Sequence, residues 1–166
     1  PVWLMHVQKP ARYIGGEWNS IVKNHDSVDV KVALAFPDVY EVAMSHLGLK
    51  IIYSVINSKS YALAERVYAP WIDMEKMMRE RGIPLFSLEN KCPIHDFDVL
   101  GFTIPYEMSY TNVLNMIDLA KIPVLSKDRS DNDPIIISGG PCVYNAEPMC
   151  DFIDVFFIGE ADESIC

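Results

Sequence analysis

The chain lacks the features that mark membrane proteins and disulfide-rich secreted proteins. No apolar run approaches the ~20 residues that a membrane-spanning helix needs, and no signal-peptide pattern opens the sequence. Four cysteines in 166 residues are too few for a disulfide framework. We therefore expect a cytoplasmic location and no membrane partner. The chain starts with proline and stops soon after a predicted strand, so we expect a fragment of a longer protein.

Basic residues are also scarce. Lys and Arg number 14 against 23 Asp and Glu, and the net charge is −9. A broad face for phosphate groups needs an excess of positive charge, so nucleic acid is not an expected partner of this domain. Half of the residues are hydrophobic, which excludes a disordered chain and gives one domain enough apolar surface for a core.

The common phosphate-binding loops are missing too. The sequence contains neither G-x-G-x-x-G, the dinucleotide fingerprint, nor G-x-x-x-x-G-K-[ST], the P-loop. The loop after the first predicted strand begins with Pro37 and Asp38 and lacks the Ser, Thr and Gly donors of a flavin phosphate loop. These absences disfavour a nucleotide- or flavin-binding enzyme domain.

Short apolar runs alternate with helical patterns along most of the chain. Strands are predicted at residues 30–36, 65–69, 98–103, 135–138 and 153–158. Helices are predicted from about Leu47, from residues 74 to 81 behind an Asp73 cap, and from Ser109 as a cap to Ala120. Residues 83–88 fit a short extra strand, which Pro84 restricts to a sheet edge.

This alternation predicts the fold class. Strands that are apolar throughout, joined by helices, indicate a parallel sheet covered on both faces. Right-handed crossovers then give a three-layer α/β sandwich, and five strands favour the Rossmann-like, flavodoxin-type order 2-1-3-4-5. Residues 1–30 have weak periodicity and are interpreted as an amino-terminal arm, with the α/β domain at residues 31–166.

In an open parallel sheet, ligands bind in the crevice beyond the carboxyl ends of the strands. The loops expected there cover residues 37–48, 103–111, 138–145 and 159–162, and they contain no Lys or Arg. They are rich in Tyr, Met, Ser, Thr and Gly, a lining that suits a large ring with neutral amide side chains. Glycines in these loops let the backbone approach a bulky ligand.

Five stretches together resemble one subgroup of radical S-adenosylmethionine (SAM) proteins with an amino-terminal cobalamin-binding-type domain. They are LAFPDVYEVAMSHLGL at 34–49, FDVLGFT at 97–103, ISGGP at 137–141, DVFFIGE at 154–160 and RYIGGE at 12–17. Their order and spacing fit that subgroup, and the similarity covers nearly the whole chain. Each stretch alone is a weak signal, but the set is specific.

The resemblance implies a module that binds cobalamin and presents the corrin to a downstream radical domain of the same chain. In such proteins a C-x-x-x-C-x-x-C motif binds a [4Fe–4S] cluster. The four cysteines here are 50, 8 and 16 residues apart, so the cluster and SAM are expected only in the downstream domain. This domain would not be catalytic alone, and no catalytic residue or metal ligand is assigned. The cofactor-binding residues implied are Pro37, Asp38, His46, Gly48, Thr103, Tyr106, Ser109, Ser138, Gly139, Gly140, Pro141, Gly159 and Glu160.

The segment around His46 departs from one well-known cobalamin motif. In D-x-H-x-x-G proteins the His binds cobalt from below, whereas Gly48 here follows His46 by two residues rather than three, and no Asp precedes it at the required place. His46 is therefore a poor match for a cobalt ligand, and capping the first helix or a place at the rim are alternatives. Ala43 also stands where the subgroup is expected to have glycine.

A second hypothesis remains open beside cobalamin binding. The domain could have kept the fold, lost the cofactor and become a docking or substrate-recognition module, and the missing D-x-H-x-x-G motif keeps this alternative. We expect Gly140→Leu to abolish ligand binding without unfolding the domain, because Gly140 lies in the predicted crevice.

Overall fold

The fold described here is that of a computed structural model, which describes residues 2–161, with side chains from residue 4 onward. The strands are β1 (Val30–Phe36), β2 (Ala62–Tyr68), β3 (Val99–Thr103), β4 (Ile135–Gly139) and β5 (Val155–Phe156). The α-helices are α1 (Tyr40–Ala43), α2 (Leu47–Asn57), α3 (Ile72–Arg81) and α4 (Tyr110–Leu119). Short 3-10 helices occupy Val2–His6, Pro10–Tyr13, His25–Ser27, Ile94–Asp96, Glu107–Ser109, Ser126–Asp128, Pro141–Asn145 and Glu147–Met149.

The five strands form one parallel sheet in the order β2-β1-β3-β4-β5. The predicted fold class and strand order are thereby confirmed. Leu34, Gly101, Ile137 and Val155 lie side by side in neighbouring strands and therefore share one face of the sheet. Among the described residues no helix has the length and apolar character needed to cross a membrane.

The two faces of the sheet are covered differently. On one, which we call the α3/α4 face, Ala33, Leu100 and Ile136 are fully buried in the larger core cluster. On the other, the α2 face, α2 packs over β1 and β2 and buries Leu34 and Phe36. The rest of the α2 face, formed by β3, β4 and β5, is only partly covered by the described residues.

The start of α2 and the end of α3 follow the predictions, but neither Asp73 nor Ser109 caps its helix with its side chain. Gly82 ends α3 in a left-handed conformation (φ 66°), as expected of a glycine cap. The predicted Asp73 cap is wrong, because α3 begins at Ile72 behind Trp71. Asp73 instead lies in the first turn, where its carboxylate accepts hydrogen bonds from the Met74 and Gln8 backbone N–H groups.

The extra edge strand at residues 83–88 does not form in the described part of the chain. Its one ladder contact is an isolated antiparallel bridge between Phe86 and Pro93. The backbone N–H groups of this segment are used elsewhere, since Leu85 donates to the Leu119 carbonyl and Leu88 to the Arg66 carbonyl. β5 is shorter than the predicted residues 153–158.

The amino-terminal residues pack against the β2 side of the domain. Leu4 and Val7 are buried in the larger core cluster. Arg12 pairs with Glu41 near the start of α1 at 2.9 Å, and the Tyr13 hydroxyl accepts a hydrogen bond from the Trp71 backbone N–H. These contacts bring the segment to the carboxyl end of β2.

A buried ionic group lies where this segment meets β2. The Arg66 guanidinium contacts Glu89 at 2.6 Å and Glu17 at 2.8 Å, and it stacks over the Tyr53 ring. The Glu89 side chain is fully buried. Burial opposes the charge of Arg66, but its two carboxylate neighbours outweigh burial and raise the pKa of Arg66. We call Arg66, Glu89, Glu17 and Tyr53 the Arg66 cluster.

The last residue of α2 is bonded to the backbone of β2. The Asn57 side-chain amide donates to the Ala64 carbonyl at 3.0 Å, and its oxygen accepts from the Ala64 N–H at 3.1 Å. This pair of bonds ties the end of the helix to the outer side of the strand.

Candidate functional site

A cleft of about 300 Å³ lies on the α2 face and reaches the carboxyl ends of the strands. It follows the space between α2 and the central strands. The residues that line it are apolar or glycine apart from Thr103, and none of them carries a charge: Leu34, Ile52, Gly101, Phe102, Thr103, Ile137, Gly139, Gly140, Phe157, Gly159 and Ala161. The cleft therefore suits a neutral, largely apolar group.

Glycines create much of this space. A Cβ atom built on Gly139 or Gly159 would meet no atom within 4 Å, so a side chain there would extend into open space. On Gly101 the nearest atom would be Leu34 Cδ2 at 3.6 Å, an ordinary contact. A row of larger side chains at these positions would fill the cleft.

Gly140 has a different role from Gly139. Its φ is +100°, a value that L-residues rarely adopt, and a Cβ atom there would lie 2.9 Å from the Ile104 carbonyl oxygen. The fold itself thus requires glycine at this position. Gly140→Leu should therefore strain the fold as well as any ligand contact, so this variant does not isolate ligand binding in the way the sequence suggested.

The loops after β1 and β3 are bonded to each other. The Tyr106 hydroxyl donates to Asp38 at 3.0 Å, and the Asn112 amide donates to the Pro37 carbonyl at 3.0 Å. The bond to Asp38 raises the pKa of Tyr106, because the phenolate would face the carboxylate. Pro37, Asp38 and Tyr106 are therefore brought together at the carboxyl edge of the sheet.

The two predicted serines make local contacts. Ser109 is buried before α4; its hydroxyl donates to the Tyr106 carbonyl at 2.6 Å and accepts no capping hydrogen bond from the first N–H groups of the helix. Ser138 is fully buried on the α3/α4 face beside Tyr110 and Cys142, away from the cleft. Its hydroxyl oxygen has no hydrogen-bond partner among the described residues. Ser138 therefore does not line the cleft, and its carbonyl accepts a hydrogen bond from the Phe157 N–H.

His46 caps α2, one of the alternatives left by the sequence. Its Nδ1 accepts a hydrogen bond from the Leu49 N–H at 3.1 Å, and its ring packs on Phe36 with centroids 4.9 Å apart. An accepting Nδ1 places the ring proton on Nε2, which leaves no free ring lone pair for a metal. Burial lowers the pKa of His46 and so favours this neutral state. Gly48 lies against the ring, and a Cβ there would be 3.1 Å from His46 Cε1.

The remaining predicted residues lie at the ends of the last loops. Pro141 begins a short 3-10 helix, in which Cys142 is buried and its thiol pKa is raised by that burial. Glu160 is exposed and does not line the cleft, although its neighbours Gly159 and Ala161 do. In all, four predicted residues line the cleft: Thr103, Gly139, Gly140 and Gly159.

Several cleft residues were missed from the sequence. Leu34, Ile52 and Ile137 look like ordinary core residues, and nothing in the pattern separates them from the buried core. Gly101 carried a usable signal, because glycine inside an apolar strand indicates a close approach of another group. Phe157 and Ala161 line the cleft because of the path that the backbone takes after β5, which the sequence pattern does not reveal.

Exposed apolar side chains surround the carboxyl edge of the sheet. Tyr106 and Met108 follow β3, Tyr144 follows β4, and Ile158 follows β5. Met108 is 87% exposed and Tyr144 78% exposed. Large apolar side chains grouped at one edge are typical of a surface that contacts a partner or a bulky ligand.

Comparison with known proteins gives the chain a family. A family model described as "Radical SAM proteins, N-terminal" matches residues 48–166. The chain is also similar to "Uncharacterized protein MJ0966" of Methanocaldococcus jannaschii, with 27% identity over 136 residues, which cover 80% of this chain and 24% of that protein. The chain thus spans about a quarter of the length of that relative. With this five-stranded α/β sheet and a match over most of its length, the chain belongs to the family of amino-terminal regions of radical SAM proteins.

Proposed function

We propose that this chain is a cobalamin-binding module that presents the corrin to a downstream radical domain of the same protein. The observation that carries the proposal is the glycine-lined cleft at the carboxyl edge of the sheet. Ligands of open α/β sheets bind at this place. The family points to a radical SAM protein, and the uncharged lining of the cleft favours a ligand with a neutral, largely apolar group.

The size and chemistry of the cleft fit one part of cobalamin. A volume of about 300 Å³ with uncharged walls suits a flat, apolar bicyclic base such as that of the cobalamin nucleotide tail. Gly101, Gly139 and Gly159 would leave room for the base against the sheet. The corrin is too large for the cleft and would lie over the carboxyl edge, where Tyr106, Met108 and Tyr144 offer exposed apolar surface.

His46 is not proposed as a cobalt ligand. Its Nδ1 is engaged by the α2 backbone, and the proton on Nε2 makes the other nitrogen a donor. Cobalamin itself would supply the methyl or radical chemistry, and this domain would bind it and orient it. The [4Fe–4S] cluster and SAM are assigned to the downstream domain.

The test is a titration of the full-length protein with hydroxocobalamin, followed by absorbance and calorimetry. We expect saturable binding of one cobalamin per chain. Gly139→Leu should weaken this binding at least tenfold, because the new side chain extends into the open cleft while the backbone at Gly139 tolerates it. Lys76→Leu, which adds leucine on exposed α3, is the control and should bind like the parent protein.

A cofactor-free docking module is the second candidate. It is favoured by the exposed apolar residues Tyr106, Met108, Tyr144 and Ile158, which would suit a protein surface equally well. If the full-length protein does not bind hydroxocobalamin at all, this candidate replaces the first. If Gly139→Leu binds as tightly as the parent, cobalamin binds elsewhere and the proposed cleft is wrong.

A further inference from the structure

The β3–β5 half of the α2 face is an uncovered apolar surface. Ile135 is 52% exposed and Val155 46% exposed, although both stand in strands of a parallel sheet. Val99, Ile137 and Phe157 beside them are only partly buried. Parallel sheets are found almost only with both faces covered, so this surface requires a covering element.

The opposite face has no such need. There Leu100, Phe102 and Ile136 are buried together with residues of α3 and α4. A further element from the chain would therefore gain more apolar burial on the α2 face than on the α3/α4 face.

The path of the backbone after β5 leads to the uncovered surface. Gly159 turns the chain with φ +130°, and both Gly159 and Ala161 line the cleft on the α2 face. The chain therefore leaves β5 on the side of the uncovered strands. The matched residues make up 24% of the archaeal relative, and the matching family model describes the amino-terminal regions of radical SAM proteins, which precede further chain.

The dimensions of the surface fit one helix. Three neighbouring strands span two inter-strand spacings, or about 10 Å, which is close to the diameter of an α-helix. A five-residue strand is about 17 Å long, a length that about 11 residues of helix cover. α2 already occupies the other half of this face, so the new helix would pack beside it.

We propose that a segment of the same chain, C-terminal to residue 166, packs as an amphipathic helix over β3, β4 and β5 on the α2 face. The helix would form the outer wall of the cleft and bury Ile135, Val155 and Phe157. This inference does not depend on cobalamin, because the apolar face needs a cover whichever ligand the cleft binds.

The test measures cysteine labelling in the full-length protein. Val155→Cys and Ile135→Cys are each treated with a maleimide, and modification at that position is followed by peptide mass spectrometry. Val22→Cys is the control, since Val22 is 63% exposed and its neighbour Lys23 bonds Ala62 of β2, at the opposite edge of the sheet from β5. We expect both face positions to react at least tenfold more slowly than position 22. Equal rates at the three positions would overturn the proposal.

Two further arms identify the occupant. Labelling is repeated over a hundredfold range of protein concentration and with hydroxocobalamin present and absent. Slow labelling that is independent of both supports a cover from the same chain. Protection from labelling that grows with protein concentration would show a second copy on this face. Protection that needs cobalamin would show the ligand there. Either result overturns the proposal. Cobalamin binding has its own absorbance readout, so its failure is distinguishable from a failure of this inference.

Discussion

The two halves of the α2 face differ in what covers them and in where they carry glycine. Over β1 and β2, Leu34 and Phe36 are buried under α2, and the Arg66 cluster adds a buried ionic group. Over β3 and β4, the same face presents Gly101 and Gly139 and leaves a cleft. The first half holds the fold together, and the second leaves space for a ligand and for a covering element.

The largest expected effect comes from breaking the Arg66 cluster. Arg66→Met removes the partner of the fully buried Glu89 carboxylate and leaves its charge uncompensated. We expect a loss of about 3–5 kcal/mol in the free energy of unfolding, measured by urea denaturation. The cleft, on the other half of the face, should keep its ligand affinity in the folded fraction.

Arg79→Met is the matched control for this prediction. Arg79 bridges Glu75 and Asp118 on the surface between α3 and α4, where water screens the pair. Its removal should cost less than about 1 kcal/mol. Equal losses for the two variants would mean that the Arg66 cluster is no more important than a surface ion pair.

An intermediate effect should separate two adjacent glycines. Gly140→Ala forces a residue with φ +100° against the Ile104 carbonyl, and we expect a loss of about 1–3 kcal/mol in unfolding free energy. Gly139→Ala, where the added Cβ meets open space, should change stability by less than about 1 kcal/mol. Thermal denaturation of the two variants, measured side by side, compares these losses. A larger loss for Gly139→Ala than for Gly140→Ala would contradict the geometry of this turn.

The smallest expected effect concerns the His46 cap. Burial lowers the folded-state pKa of His46, so on acidification the unfolded chain binds the proton first. The contribution of the neutral cap is complete above pH about 6.5 and is lost as the pH falls from there through the lowered pKa. His46→Asn, which also caps helices but does not titrate, should lose less stability between pH 7.5 and pH 5 than the parent.

The quantity to compare is the loss of unfolding free energy between pH 7.5 and pH 5 in the parent minus the loss in His46→Asn. The titration of groups common to both proteins cancels in this difference. We expect the difference to be about 1 kcal/mol or less, the usual size of a cap contribution. A variant that loses stability in parallel with the parent would show that the His46 ring does not accept from the helix.

The sequence predicted the sheet well because β1, β3 and β4 are apolar runs bounded by strong breakers. Pro37 and Pro105 end two of them, and the alternation with helices then leaves few possible topologies. It failed at residues 83–88, whose periodicity resembles a strand. Their hydrogen bonds go to Leu119 and Arg66, two distant residues that no local pattern reveals.

The site was predicted only in part, because its lining also depends on contacts between residues that are distant in the sequence. Gly139 and Gly159 could be predicted as site residues because they lie at or just after strand ends, which sequence patterns locate. Whether a glycine faces a cleft or a neighbouring backbone depends on tertiary contacts, and Gly139 and Gly140 differ in this respect although they are adjacent. The Arg66 cluster has one faint sequence signal, a Glu65–Arg66 pair of opposite charges inside an otherwise apolar strand.

The bonds between Asn57 and Ala64 bear on how this protein avoids aggregation. β2 is an edge strand, and such strands offer free backbone groups to strands of other molecules. The Lys23 ammonium donates to the Ala62 carbonyl, and the Asn57 amide bonds both the N–H and the carbonyl of Ala64. The Arg66 N–H donates to the Glu89 carboxylate, and the Arg66 carbonyl accepts from the Leu88 N–H. The carbonyls of three alternate residues along the edge, and the N–H groups of two of them, are therefore bonded within the chain, and an intruding strand would have to displace these bonds before it could add to the sheet.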